Sequence, residues 1–224
     1  YQEDVTVAPE GWTFKAAGDD MTLVKAVAKI GTKGYLTVAD ALAAVQDGET
    51  ITVLDATGNE SGTELTFDRQ GDIAFTITGT APNYRLPIIT FADKDGSGGK
   101  ITVTIKDATL AMDEIDARQN ATVNVVDSFI DGKGGNTIVK SYFNGAINIS
   151  GTSKVYTMQV TTMGYITISD SATLTATWQA NVYGNGLISV NPGATFNTAA
   201  LNLTGQAYSG RDNTDADRVG KPAA

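Results

Sequence analysis

Three stretches of this sequence share one pattern, which is Gly-x-Ile-x-[Ile/Val], then a turn, a small residue and a further apolar residue. They begin at Gly145, Gly164 and Gly186 and read GAINISGTSKV, GYITISDSATL and GLISVNPGATF. Strict alternation of apolar and polar residues is typical of a β-strand with one buried face. Because the offsets are the same in all three copies, each stretch is predicted to be one unit of a repeat fold.

Earlier copies of the pattern extend the repeat toward the N-terminus. The opening residues are Gly48, Gly71, Gly99, Ala121, Gly145, Gly164 and Gly186, which lie 19 to 28 residues apart with a period near 22. A period in this range indicates a solenoid, and a coil of this length holds two or three short strands. We therefore predict an all-β, right-handed parallel β-helix of about seven coils, in which equivalent residues stack about 4.8 Å apart.

An antiparallel β-sandwich also has short alternating strands, but it does not require the same offset in every strand. The recurrence of one offset therefore favours the β-helix.

A short helix is predicted immediately before the first coil. In TVADALAAVQDG, Thr37 is suited to cap a helix over residues 38–46, and Asp40 completes an arrangement like a capping box. Val38, Ala41 and Leu42 then share an apolar face, and a Gly follows at position 48. We expect this helix to cover the N-terminal end of the solenoid, whose backbone groups otherwise remain unpaired.

The pattern also divides the chain into three parts. Residues 1–36 contain strand-like segments that we expect to pack on the solenoid, and residues 37–205 contain the helix and the coils. Residues 206–224 are polar and nearly free of aliphatic side chains, which indicates a tail or linker. A linker at this position implies further modules of the same polypeptide.

Composition excludes several functions. The formal net charge of −9 disfavours nucleic acid and anionic membrane surfaces as partners. The sequence contains no Cys and no His, so disulfides, thiolate metal sites and imidazole-based catalysis are excluded. Among glycans, an acidic surface suits neutral polysaccharides better than uronates.

Residues 29–54, KIGTKGYLTVADALAAVQDGETITVL, carry a resemblance to known proteins. This segment resembles the opening segment of β-helix modules in surface proteins of gut Gram-positive bacteria, and the remaining coils are similar in rhythm to pectin-lyase-like β-helices. The resemblance implies an extracellular protein that is secreted or attached to the cell surface. That superfamily includes lyases, hydrolases, adhesins and binding modules, so the fold alone does not determine function.

Aromatic side chains are the candidates for binding sugar, because the apolar faces of sugar rings stack on aromatic planes. Alternation places Trp178 on the inward side unless a corner interrupts the strand, and it places Tyr183 on the opposite side with Gln179 and Asn181. Trp12 lies outside the repeat, where it either packs over an apolar groove or is presented in a loop. These five residues form the predicted ligand-binding set.

A calcium site is the one metal site that the sequence suggests. DKDGSGG, residues 93–99, begins like a calcium loop, with Asp93 and Asp95 as candidate ligands. Thr104 stands where such a loop requires a carboxylate, which favours an ordinary turn instead. No other cofactor is predicted.

Two acidic groups are candidates for catalysis. A lyase would use Asp107 and Asp127 with calcium, and Arg118 as the base. A glycoside hydrolase would use two acids of the MDEID segment, which contains Asp113, Glu114 and Asp116. Neither group converges on a recognisable acid–base set in the sequence.

The expected function is therefore a non-catalytic carbohydrate-binding or adhesion module that binds a neutral polysaccharide, with an α-glucan such as starch slightly favoured. A polysaccharide lyase or hydrolase on the same scaffold is the first alternative. A structural spacer without a ligand is the second.

Overall fold

The computed structural model describes residues 7–54, 59–60, 62–69, 71–93, 98–132 and 138–205. The strands are β1 (Trp12–Ala17), β2 (Asp20–Lys25), β3 (Ala28–Ile30), β4 (Lys33–Tyr35), β5 (Thr50–Val53), β6 (Glu64–Phe67), β7 (Ile73–Phe91), β8 (Ile101–Ala117), β9 (Ala121–Val126), β10 (Phe129–Asp131), β11 (Ile138–Ser141), β12 (Ala146–Ser150), β13 (Lys154–Thr162), β14 (Tyr165–Ile168), β15 (Thr173–Tyr183), β16 (Leu187–Val190), β17 (Thr195–Thr198) and β18 (Leu201–Thr204). One short helix, α1 (Val38–Ala44), precedes β5.

The coils are parallel and stack about 22 residues apart over about six turns, with 63% of the described residues in strands. The predicted β-helix is therefore confirmed, with about six turns rather than seven. Each complete coil contributes one segment to each of three parallel stacks. The first stack contains β5, β9, β12, β14, β16 and the first parts of β7 and β8.

The second and third stacks are built in the same way. The second stack contains β10, β17, the middle parts of β7 and β8, and the first parts of β13 and β15. The third stack contains β6, β11, β18 and the last parts of β7, β8, β13 and β15. The long strands β7, β8, β13 and β15 thus turn corners between stacks.

Inward-facing aliphatic and aromatic side chains form columns that run through successive coils. In the first stack one column contains Phe75, Val103, Val123, Ile147, Ile166 and Ile188. In the second stack the matching column contains Ala81, Leu110, Ile130, Val155, Leu174 and Phe196. Every member except the last of each column is buried, so each coil completes the core of its neighbour.

The glycines that open the later repeats are required by close packing between coils. A Cβ atom added to Gly99, Gly145 or Gly164 would lie less than 3.0 Å from a carbonyl oxygen of the neighbouring coil. A residue larger than glycine would therefore fit at these positions only if the neighbouring coil moved. The glycine at the start of the pattern therefore marks the place where the chain passes directly over the preceding turn.

The N-terminal end of the solenoid is covered by α1 and by β3. Thr37 caps the helix, with its Oγ1 accepting a 2.9 Å hydrogen bond from the Asp40 amide, as predicted. The helix ends at Ala44, two residues before the predicted end. Strand β3 pairs antiparallel with β5, placing Ile30 opposite Ile51, so the outer edge of β5 is occupied.

A buried carboxylate fixes the helix to the first coil. Glu60 accepts hydrogen bonds from the backbone amides of Val38 at 2.7 Å and Ala39 at 3.2 Å, and from the hydroxyl of Tyr84. These amides lie in the first turn of the helix, where no intrahelical acceptor is available. Burial of Tyr84 and its bond to Glu60 raise the pKa of the phenol, which keeps the hydroxyl protonated as a donor.

The close passage of coils at Gly164 gives a direct test of the packing. We expect Gly164→Ala to lower the free energy of unfolding by about 1–3 kcal/mol, because the new methyl group meets the carbonyl oxygen of Gly145. Gly205→Ala is the matched control, since a Cβ there meets nothing within 4 Å, and it should change stability by less than about 0.5 kcal/mol. Urea denaturation monitored by circular dichroism measures both, and equal effects of the two substitutions would contradict this packing.

Candidate functional site

Trp178 lies at the corner where β15 passes from the second stack to the third. In the preceding coil, two residues separate Thr157 from Val160, whereas three separate their partners Ala176 and Ala180. The coil that contains Trp178 therefore has one extra residue at this corner. An extra residue in one strand bends it and redirects its side chains.

The following coil has no such insertion. Its residues Thr198 and Leu201 pair with Ala176 and Ala180, and only Ala199 and Ala200 stand between them. Small side chains in the next coil leave the indole uncovered, and Trp178 is 54% exposed. A large apolar ring exposed at an insertion is an arrangement that core packing does not require.

The exposure of Trp178 and Tyr183 differs from what strict alternation along β15 predicts. The sequence pattern placed Trp178 on the same side as Leu174 and Ala176, which are both buried. The exception allowed for a corner applies to Trp178, because the extra corner residue interrupts the alternation between Ala176 and Ala180. Tyr183 is half-buried at the end of β15, and it is less open to solvent than the sequence suggested.

A row of amide side chains begins directly beside Trp178. Gln179 accepts from Asn202 at 3.5 Å, and its Nε2 donates to Gln159 Oε1 at 3.2 Å. Asn202 Nδ2 also donates to Asn181 Oδ1 at 2.8 Å, and Gln159 Nε2 donates to Thr161 Oγ1 at 2.8 Å. We call the four amide side chains, those of Gln159, Gln179, Asn181 and Asn202, the amide row. Their mutual hydrogen bonds hold them in fixed orientations on the third stack.

Not every member of the predicted binding set is available to a ligand. Gln179 is half-buried and adjacent to the indole in sequence, whereas Asn181 is 5% exposed and its side chain is engaged with Asn202. Within the amide row, Gln179 and Asn202 are therefore the two members near Trp178 in the coils that stay accessible to a ligand. Sequence reasoning did not single out Asn202, although it occupies the position of Asn181 in the next coil.

Trp12 is remote from this corner. It begins β1, whose hairpin with β2 lies at the N-terminal end, and it lines a cavity of about 390 Å³ together with Phe14 and Lys33. Trp178 stands in the penultimate coil, at the other end of the solenoid. The structure thus brings Trp178, Gln179, Asn181 and Tyr183 together on one strand but does not bring Trp12 to them.

The acidic MDEID segment lies in the middle of the solenoid and is engaged in ion pairs. Glu114 pairs with Lys140 of the next coil at 2.9 Å. Asp113 pairs with Arg85 of the preceding coil and accepts from the Gly62 amide at 3.2 Å. The two ion pairs tie three successive coils together.

Arg118 and Asp116 form a third ion pair in the same region. We call the six side chains of these three ion pairs the charged group. Asp116 is fully buried and accepts from Arg118 Nε at 2.7 Å, and the guanidinium lies 5.3 Å from the ring centre of Tyr142. Burial raises the pKa of the Glu114 carboxyl to about 7, although the positive charge of Lys140 opposes the increase and the negative charge of Asp116 reinforces it. Sequence reasoning missed Lys140, because the third strand of each coil was not aligned.

The residues proposed for a lyase do not converge. Arg118 precedes β9 and Asp127 follows it, so six strand residues, or about 20 Å, separate the two positions. Asp107 and Asp127 both have φ of 48° at the corner after the first stack, which is a conformation that Asp adopts more readily than most residues. Asp127 Oδ1 accepts from the Thr152 amide at 2.9 Å, which is a structural role.

Asp93 has a turn-stabilising role of the same kind. Its side chain is buried and accepts from the Gly98 amide at 3.0 Å and from Asn120 Nδ2 at 3.1 Å. Asp95 lies outside the described residues, so the predicted calcium site stays a prediction. Across the described ranges, no group of three or more acidic side chains is arranged to hold a metal ion.

Comparison with known proteins adds no relative. No family model, no curated protein and no solved structure matches the chain. In the part of the chain that the structure describes, no helix is both long enough and apolar enough to span a membrane. The site must therefore be interpreted from its own geometry.

The Glu114 carboxyl predicts a specific pH dependence of stability. Because its pKa is raised to about 7 in the folded state, the folded protein binds more protons than the unfolded chain between about pH 4.5 and 7. The Glu114 contribution to stability is therefore greatest below about pH 4.5 and is lost as the pH rises toward 7. Glu114→Gln should make the free energy of unfolding vary less steeply with pH across this interval.

The matched control is Glu64→Gln, because Glu64 occupies the same column of the third stack two coils earlier but is exposed. Urea denaturation at several pH values between 4.5 and 7.5 measures both variants. An unchanged slope in Glu114→Gln, or an equal change in Glu64→Gln, would contradict the assignment.

Proposed function

We propose that this chain is a non-catalytic carbohydrate-binding module, in which Trp178 is the stacking platform and the neighbouring amides bind hydroxyl groups. The observation that carries the proposal is the exposure of Trp178 on a one-residue insertion that neither adjacent coil contains. An indole face supplies a flat apolar surface for the C–H face of a sugar ring.

The amide row supports the same interpretation. Gln179 and Asn202 present both donors and acceptors beside the indole, and their mutual bonds fix the orientation of each amide. Sugar hydroxyls also act as donors and acceptors, so neutral amides suit them without any charge on the ligand. Residues 171–205 contain no Asp, Glu, Lys or Arg, which favours a neutral polysaccharide over a charged one.

The charged group in the middle of the solenoid supports a non-catalytic assignment. Asp113, Glu114 and Asp116 each contact a cation, through Arg85, Lys140 and Arg118 respectively. A hydrolase requires carboxyl groups that face an open cleft and reach the glycosidic bond. Glu114 and Asp116 are instead 7% and 0% exposed.

Among neutral polysaccharides, we propose an α-glucan such as starch as the ligand. We also propose that the protein is a bacterial protein that is secreted or attached to the cell surface. Both rest on the resemblance of residues 29–54 to modules of gut bacterial surface proteins. Adhesion through the same surface is consistent with the proposal, since it requires the same glycan contacts.

Native affinity electrophoresis tests the proposal. The wild-type protein should migrate more slowly in gels that contain soluble starch, and Trp178→Ala should weaken the affinity at least about tenfold, because the stacking surface is lost. Tyr165→Ala is the matched control, since Tyr165 is 49% exposed on a different stack and should leave retardation unchanged.

The same samples are assayed for new reducing ends and for unsaturated products. Retardation that is equal in wild type and Trp178→Ala would refute the platform, and absence of retardation across neutral α-glucans, β-glucans and mannans would refute glycan binding. New chain ends in the presence of the protein would refute the non-catalytic assignment.

A further inference from the structure

The last coil of the solenoid leaves the inward columns uncovered. Val190, Leu201 and Leu203 occupy inward positions in β16 and β18, yet they are 45%, 53% and 72% exposed. The residues beneath them in the same columns include Ile168 and Ala180, which are fully buried. Among the residues that the structure describes, no further coil lies beyond these side chains, so their exposure does not reflect a change in the direction of the side chains.

The backbone of the same coil is also open. Across the described ranges, β16, β17 and β18 each pair with one neighbour only, and no strand pairs with their outer edges. Exposed edges are normally protected against association by Pro or by charged residues, most often Lys. These three strands contain none of them, and residues 171–205 carry no charged side chain at all, within a chain of net charge −9.

The two ends of the solenoid are thus chemically different. At the N-terminal end, β3 pairs with the first coil and α1 packs its apolar face over the core. That end also carries charged side chains, among them Asp40, Asp47 and Glu49. A head-to-tail contact between two copies is therefore blocked at the N-terminal end, because β3 occupies the edge of β5 and α1 packs against β6.

We propose that the C-terminal coil, defined by β16, β17 and β18, is the interface of a homodimer in which the uncovered ends of two copies meet. A twofold axis perpendicular to the solenoid axis sets the strands of one copy antiparallel to those of the other, so their backbone edges pair. The contact is isologous and closes at two copies, because each copy has one open end.

The charge distribution favours this end of the solenoid over the rest of the surface for contact with a second copy. Two chains with net charge −9 repel each other over most of their surface, whereas the C-terminal coil presents no charge. Pairing buries Val190, Leu201 and Leu203 of both copies together, completing the columns that end in the monomer. The same contact satisfies the edge amides and carbonyls of six strands.

Sedimentation velocity on the full chain tests the proposal over a concentration series. Wild type should convert from monomer to dimer as the concentration rises, and no larger species should form. Leu203→Lys should weaken dimerisation at least about tenfold, because each copy would bury a charged ammonium group in an apolar contact. Leu23→Lys is the matched control, since Leu23 is an exposed leucine of β2 and should leave dimerisation unchanged.

Val190→Lys provides a second variant at a different strand of the same coil, and the unfolding temperature of each variant shows whether the monomer stays folded. A wild-type protein that is monomeric at every concentration would overturn the proposal, as would a dimer that Leu203→Lys and Val190→Lys both leave intact.

Hydrogen exchange adds a further check, because protection of β16–β18 should increase with concentration. Complete protection at a concentration where the protein sediments as a monomer would indicate a segment of the same chain as the occupant and would also overturn it.

Discussion

Parallel pairing of each strand with the equivalent strand of the next coil is the constraint from which the rest of the structure follows. In-register pairing places Ile147 on Ile166 and Ile166 on Ile188, so one apolar residue per coil generates a continuous column. A single coil could not bury its own apolar side chains, because a coil is only one strand thick along the solenoid axis. The core therefore depends on neighbours, and its last layer is exposed wherever no neighbour follows.

Polar side chains at the corners reinforce this stacking. Carboxylates accept backbone amides of an adjacent coil at several places, with Asp47 bound to Ala74, Asp72 to Lys100 and Asp170 to Gly151. Each such bond satisfies a backbone amide near the start or the end of a strand. Part of the acidity of the chain thus has a structural origin, and corner carboxylates should not be read as catalytic merely because they recur.

The sequence was sufficient for the architecture because the fold is encoded in local offsets. The positions of Ile147, Ile166 and Ile188, and of Val155, Leu174 and Phe196, predicted two of the three stacks. The third stack escaped notice, because coils differ in corner length and the offsets there are not constant. This is why Lys140 and Asn202 were missed as partners of Glu114 and Asn181.

The candidate binding site was predicted only in part, for the same reason. Alternation is a reliable guide within a strand, but it fails where one coil has an additional residue, as between Ala176 and Ala180. The side on which Trp178 lies depends on that single insertion, and it can be recognised only when the coils before and after are in register. A functional residue on a solenoid is thus most visible as a departure from the repeat.

In-register stacking of the coils is tested most directly by nuclear Overhauser contacts in a sample with labelled isoleucine methyl groups. The account predicts contacts of the Ile166 methyl groups with those of both Ile147 and Ile188, together with slow exchange of the amides in β12 and β14. Contacts of Ile166 with only one of these residues, or a pattern of antiparallel pairing between β12 and β14, would contradict it.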